Sequence, residues 1–336
     1  MKAHAYAVKS AKKSLTPFAY SQDKLGPYDV EIAIICCGLC HSDLNLIDND
    51  WKSSTYPLIA GHEVVGTIVN KGVLATNVKV GARVGVSWQK GACLECEQCL
   101  SGHENVCAQK TFTCIRNYGG FADKMVADSR FVYPIPKTLK SAYAAPLLCA
   151  GATVYAPLKK YGIGPGHSVA ILGIGGLGHL AIQFAKAFGA TVTAISHSHD
   201  KHKEASKFGA DYFVLQTAAA LKKHLSQFDF ILSTTSEDLD WNLIVSLLRP
   251  NGTLCFLGKP NEKISVEVGL LTSGQRNICG STVAPRAVIN EMLAVAAQYK
   301  IVPQIEQFRL IDINKAITHL RKGKARYRVV LTRNLA

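Results

Sequence analysis

The stretch "SVAILGIGGLGHLAIQFAKAFG" (168–189) reads as a buried strand that turns sharply into a helix. Its opening is a continuous apolar run, and Leu177, Leu180, Phe184 and Phe188 then recur on one helical face, with Gly189 as the stop. Between the two, Gly173, Gly175 and Gly178 stand in G-x-G-x-x-G register, with Gly176 and Leu177 completing the turn. Alone, those letters are a weak signal, with a glycine-rich structural turn as the alternative. Between a strand and a helix they predict a nucleotide loop, where a pyrophosphate can approach the backbone amides of a helix N-terminus.

Working outward, "ATVTAIS" (190–196), a short helix opened by Asp200, "DYFVL" (211–215), "FDFILST" (228–234) and "GTLCFLG" (252–258) continue the alternation of strand and helix. That alternation predicts an α/β domain with a doubly wound parallel sheet. The first half is β-rich instead: "DVEIAIICCG" (29–38), "EVVGTIVNKG" (63–72) and "ARVGVSW" (82–88) are short β-branched runs ended by glycine or polar residues. The C-terminal "RYRVVLT" (326–332) is a further strand, free to return to that first half.

The 336 residues suffice for two domains with separate cores. The opening "MKAHAYAVKSAKKSL" has no signal-peptide apolar run, and glycine and histidine interrupt the longest hydrophobic stretch. A cytoplasmic protein without membrane contact is expected. The net charge of +14 raises nucleic acid as a partner, but the lysines and arginines are scattered and form no basic helix. The charge is read as a solvated surface, and no nucleic-acid partner is expected.

The tip of the second strand selects the nucleotide. An NAD site usually places an acid there for the ribose hydroxyls. Here the letters are "AISHSHDK", with Ser196, His197, Ser198 and Lys201, so NADP(H) is expected; Asp200 is read as a helix cap.

Cys93, Cys96, Cys99 and Cys107 follow the spacing C-x2-C-x2-C-x7-C. In a reducing compartment a disulfide knot is disfavoured, and the ferredoxin pattern needs a shorter last gap. Four thiolates around a tetrahedral zinc accept this spacing.

The order of "CGLCHSDL" (37–44), "AGHEVVG" (60–66), the four-cysteine lobe, "PLLCAGATVY" (146–155), "GIGGLGH" and "RYRVV" resembles that of the zinc-dependent medium-chain alcohol dehydrogenases. The likeness is closest to the cinnamyl alcohol dehydrogenase branch and its bacterial aldehyde-reductase relatives. It implies a GroES-like catalytic domain over 1–146 and 287–336, and a Rossmann domain over 147–286. It implies two zinc ions per chain: a catalytic one on Cys40, His62 and Cys149, and a structural one on the lobe. Glu63 would lie beside the metal as an occasional ligand, and Asp43 would orient the zinc-bound histidine. His41 matches a cofactor-pyrophosphate position, Thr153 a residue near the nicotinamide, and Ser42 the hydroxyl that passes on the alcohol proton. Where many members carry a histidine to end that relay, this chain has Asn45, so the proton is expected to pass directly to water. Trp51 and Trp88, with Phe112 and Ile115 as weaker candidates, map near the substrate cleft and suit an aromatic or medium-chain aliphatic substrate. Residues 278–283 match the region through which family members dimerise. A polyol dehydrogenase on the same scaffold and a non-catalytic zinc protein are the competing readings.

Overall fold

A computed structural model describes residues 2–22 and 24–333. The chain divides into two compact units, Met1–Ala152 with Val283–Ala336, and Thr153–Thr282. The junctions expected at 146/147 and 286/287 therefore fall at 152/153 and 282/283, which places Cys149 in the first unit. Among the described residues no helix is long and apolar enough to cross a membrane.

The first unit is organised by one long strand, Asp29–Leu39. Glu63–Lys71 runs antiparallel along one side of it. Its other side is shared by two strands: Lys124–Asp128 pairs with its first half and Arg328–Thr332 with its last residues. The C-terminal strand thus returns to the β-rich unit. Register matters here, because Gly38 faces Glu63 while Val329 faces Leu39. Cys40, Glu63 and Arg328 consequently arrive at the same end of the sheet. Gly38 is required at that end: a β-carbon on it would lie 1.9 Å from Glu63 Oε2. Val30, Ile32, Val64 and Ile68, buried on these strands, and Val84 of the strand Arg83–Val86 pack with Leu46 and Ile47 of the helix His41–Asp48 into one core.

The second unit is a six-stranded parallel sheet. Its order is Tyr212–Leu215, Thr191–Ser196, Ser168–Leu172, Phe228–Ser233, Leu248–Phe256, Asn277–Gly280. Numbered by sequence this is 3-2-1-4-5-6, the doubly wound dinucleotide-binding order, whose switch point lies beside Ser168–Leu172. The glycine loop leaves that strand, and the helix Gly178–Ala187 follows. A β-carbon on Gly178 would sit 1.9 Å from the Gly173 carbonyl oxygen, so only glycine allows the helix to start this close to the strand. Leu172, Ile231, Leu254 and Trp241 fill the core on one face of the sheet.

Candidate active site

Cys40 precedes the helix His41–Asp48. Asp43, completely buried in its first turn, uses both carboxylate oxygens. Oδ2 accepts from the Cys40 N–H at 2.9 Å. Oδ1 accepts from the Gly61 N–H at 2.9 Å and from His62 Nδ1 at 2.9 Å. This contact favours a proton on His62 Nδ1, and Nε2 lies 3.3 Å from Cys149 Sγ. Cys149 lies in the π-turn Leu147–Gly151, which joins the helices Ser141–Pro146 and Ala152–Lys160. Such one-turn irregularities re-aim a side chain, and here the Ser87 hydroxyl donates to the neighbouring Leu148 carbonyl. One donor atom from each of Cys40, His62, Glu63 and Cys149 falls within 4.8 Å of all the others. Two thiols and an imidazole on a rigid scaffold form a set that suits zinc with an open position.

Charge in the set is unevenly shared. The Cys149 thiol, aided by Arg328 and His62, holds Cys40 well below the usual thiol range, while Cys40 and burial push Cys149 up. Burial opposes a charge on His62, but Asp43 and Cys149 outweigh it and hold the imidazole well above its ordinary value. Burial lifts the Glu63 carboxyl to about 7, against the pull of Arg328.

Arg328 carries no role in the sequence reading. Its guanidinium donates to Glu63 Oε1, and Nη1 lies 4.0 Å from Cys40 Sγ. Its side chain is 6 % exposed and that of Glu63 not at all. The available signal was a cation inside a β-branched strand, "RYRVVLT", where a buried arginine needs an anion. Cys114 was likewise only a spare thiol by sequence. It is buried within 4.8 Å of Asp43 and His62, and burial pushes it up to about 11.

The aromatic candidates gather on the same side. Trp88 packs edge-on against the His62 ring at 4.8 Å, Trp51 meets Trp88 at 5.9 Å, and Phe112 lies 5.4 Å from Trp88. Ile115 packs on the same core. His41 and Ser42 open the helix after Cys40, exposed and half-buried respectively. Thr153 belongs to the second unit, in the helix Ala152–Lys160.

In the lobe, Cys93 Sγ lies 3.8 Å from Cys99 and 3.6 Å from Cys107, and Cys96 lies 3.8 Å from Cys107. These separations are too long for disulfides. They match the edge of a sulfur tetrahedron around zinc, about 3.8 Å for Zn–S bonds of about 2.3 Å. Backbone N–H groups of Glu95 and Cys96 draw the Cys93 thiol down to about 6.

In the second unit Gly173, Gly175, Gly176 and Leu177 form the turn, and Gly178 opens the helix without a side-chain cap. The bare amides and the missing β-carbons suit a pyrophosphate. The strand tip corrects two expectations. Asp200 does not cap the helix His202–Lys207; it sits in the tight turn His199–Lys201 and accepts from the Ser198 hydroxyl. Nor is the tip free of carboxylates, because Glu237 pairs with His197 Nδ1 at 3.0 Å.

Residues 26–137 match the family model for the alcohol dehydrogenase GroES-like domain, and residues 176–298 match that for zinc-binding dehydrogenases. An aldehyde reductase of Synechocystis is 44% identical over 98% of this chain and 98% of its own length. The chain belongs to the zinc-type medium-chain alcohol dehydrogenases. Within this family it is an alcohol or aldehyde dehydrogenase of the cinnamyl alcohol dehydrogenase kind. A cinnamyl alcohol dehydrogenase of Sorghum bicolor superposes with a TM-score of 0.94 at 36% identity, over 99% of this chain and 98% of that one. The CAD of Helicobacter pylori, solved with NADP(H), gives 0.91 at 31% identity, over 99% and 98%. For a zinc-type alcohol dehydrogenase, a Cys–His–Cys set with an aspartate behind the histidine is chemically apt: neutral imidazole and thiolate bind the metal and leave room for an oxygen ligand.

Proposed function

We propose that this chain is an NADP(H)-dependent reductase of aromatic or medium-chain aliphatic aldehydes, with Cys40, His62 and Cys149 holding a catalytic zinc and the four lobe cysteines a structural one. The observation that carries the reading is the Cys40–His62–Cys149 set, half-buried at its two cysteines and buried at His62, oriented by Asp43 and walled by Trp88. Lewis acidity at that site, the contribution of zinc when bound, polarises an aldehyde carbonyl or acidifies an alcohol hydroxyl. Hydride comes from, or goes to, the nicotinamide when that cofactor is bound.

The chain's own residues do the rest. Asp43 keeps the proton on His62 Nδ1, so that Nε2 remains a donor of its lone pair. Trp88 and Trp51 present indole faces that exclude water and pack on the apolar part of the substrate. Ser42 Oγ takes the alcohol proton and passes it on, and Asn45, an amide without acid–base chemistry, leaves its further transfer to water. Gly173–Gly178 would take the pyrophosphate, and His41 and Thr153 keep the cofactor-binding roles that the resemblance implies for them. Ser196, His197, Ser198 and Lys201 receive the 2′-phosphate. NADP(H) is supported by the Helicobacter pylori relative and by a strand tip that ends in serine rather than an acid. Assembly as a cytoplasmic homodimer completes the proposal.

The test is the initial rate of cinnamaldehyde-dependent oxidation of NADPH and of NADH, measured side by side. NADPH is expected to give the higher kcat/KM. A higher value with NADH overturns the nucleotide assignment, and no rate with either overturns the aldehyde-reductase reading.

A further inference from the structure

We infer that Glu237 is a specificity-determining residue for the nucleotide, one that weakens the hold of the strand tip on a 2′-phosphate. The inference rests on the assignment of Ser196–Lys201 as the pocket for that end of the cofactor.

Glu237 lies beyond the strand Phe228–Ser233, more than forty residues in sequence after the tip of Thr191–Ser196. Ser168–Leu172 pairs in parallel with both strands, so their C-terminal ends reach the same edge of the sheet. There the carboxylate is held at both oxygens. Oε1 pairs with His197 Nδ1 at 3.0 Å, and Oε2 accepts from Gln216 Nε2 at 3.0 Å. The Glu237 N–H donates to Thr235 Oγ1 at 3.1 Å, which fixes the turn beneath it. The side chains of His197 and Glu237 are 69% and 46% exposed, so the pair adds little to the fold and is open to a ligand.

The rest of the tip has the same mixed character. The Ser198 hydroxyl is spent on Asp200, and His199 and His202 turn their rings toward Phe213. A 2′-phosphate arriving at Ser196–Lys201 would share His197 with a fixed carboxylate and feel its negative charge. A free 2′-hydroxyl would meet an acceptor instead, as it does where an acid ends the second strand of an NAD site. Glu237 thus places an acid at this tip from a different strand, and NADH should be used alongside NADPH.

Glu237→Gln keeps the shape and an acceptor for Gln216 while removing the charge. The ratio of kcat/KM for NADPH to that for NADH is expected to rise about tenfold, the scale of one unit charge roughly 6 Å from a phosphate in a partly wet site. Isothermal titration with adenosine 2′-monophosphate should show a similar gain in affinity, and adenosine 5′-monophosphate should show none. Adding His197→Ala to Glu237→Gln should erase most of the gain. An unchanged ratio with unchanged adenosine 2′-monophosphate affinity overturns the role of Glu237. A parent enzyme that prefers NADH, with the shift still present, overturns the NADP(H) assignment and leaves Glu237 as the residue that sets it.

Discussion

Arg328→Met is expected to destabilise the first unit by about 3–5 kcal/mol, the usual cost of leaving one member of a buried ion pair alone. Glu63 is fully buried, and among the described residues its salt-bridge partner is Arg328. Methionine fills much of the same volume but leaves the carboxylate without its direct ion-pair partner and still beside the Cys40 sulfur. In a thermal melt the loss should appear as a fall of roughly 8–15 °C in the midpoint. Glu63→Gln added to Arg328→Met removes the orphaned charge and should recover about half of that fall. Equal midpoints for the single and double variants would show that the charge pair is not what Arg328 supplies. Glu63 Oε2 and Arg328 Nε are buried without hydrogen-bond partners, so the pair is poorly satisfied as a stabilising element. Its place beside Cys40 gives a better reason for its presence, since a guanidinium there favours a thiolate.

Asp43→Asn is expected to lower zinc affinity at the Cys40–His62–Cys149 set by about 10–100-fold. The carboxylate accepts three hydrogen bonds, from the Cys40 and Gly61 backbone amides and from His62 Nδ1. An asparagine that keeps its oxygen toward His62 and Gly61 turns an NH2 group against the Cys40 N–H, donor to donor. The alternative orientation turns that group against His62 Nδ1 and favours the wrong tautomer, with its proton on Nε2. Either way one metal-facing side chain loses its support. Titration with a competing chelator reads the affinity directly, and aldehyde reduction should fall in step with zinc content. Retention of zinc against the chelator at the parent level, with activity within threefold, would remove Asp43 from the account of the site.

Much of the fold was legible because its signals are local. The strand, glycine turn and helix at 168–189 lie in a single run, and the alternation after it leads directly to the six-stranded order. The lobe was legible for the same reason, since its four cysteines lie within fifteen residues. Cys40, His62 and Cys149 are distant in sequence, and only the resemblance joined them; the structure brings their donor atoms within 4.8 Å. Arg328 was not legible, because its meeting with Glu63 depends on a strand register set between Val329 and Leu39, across most of the chain. Glu237 escaped for a similar reason: reading along one strand shows which acids end it, not which acids a neighbouring strand delivers. Asp200 failed as a cap because a tight turn precedes the helix and places the aspartate inside it.

Zinc content is the most direct measurement, made on the purified parent and on Cys149→Ser alongside cinnamaldehyde reduction. Two equivalents per chain are expected in the parent, and one in the variant with its reductase rate lost. A parent with a single equivalent, or a variant that keeps both zinc and rate, would contradict a catalytic zinc on Cys40, His62 and Cys149.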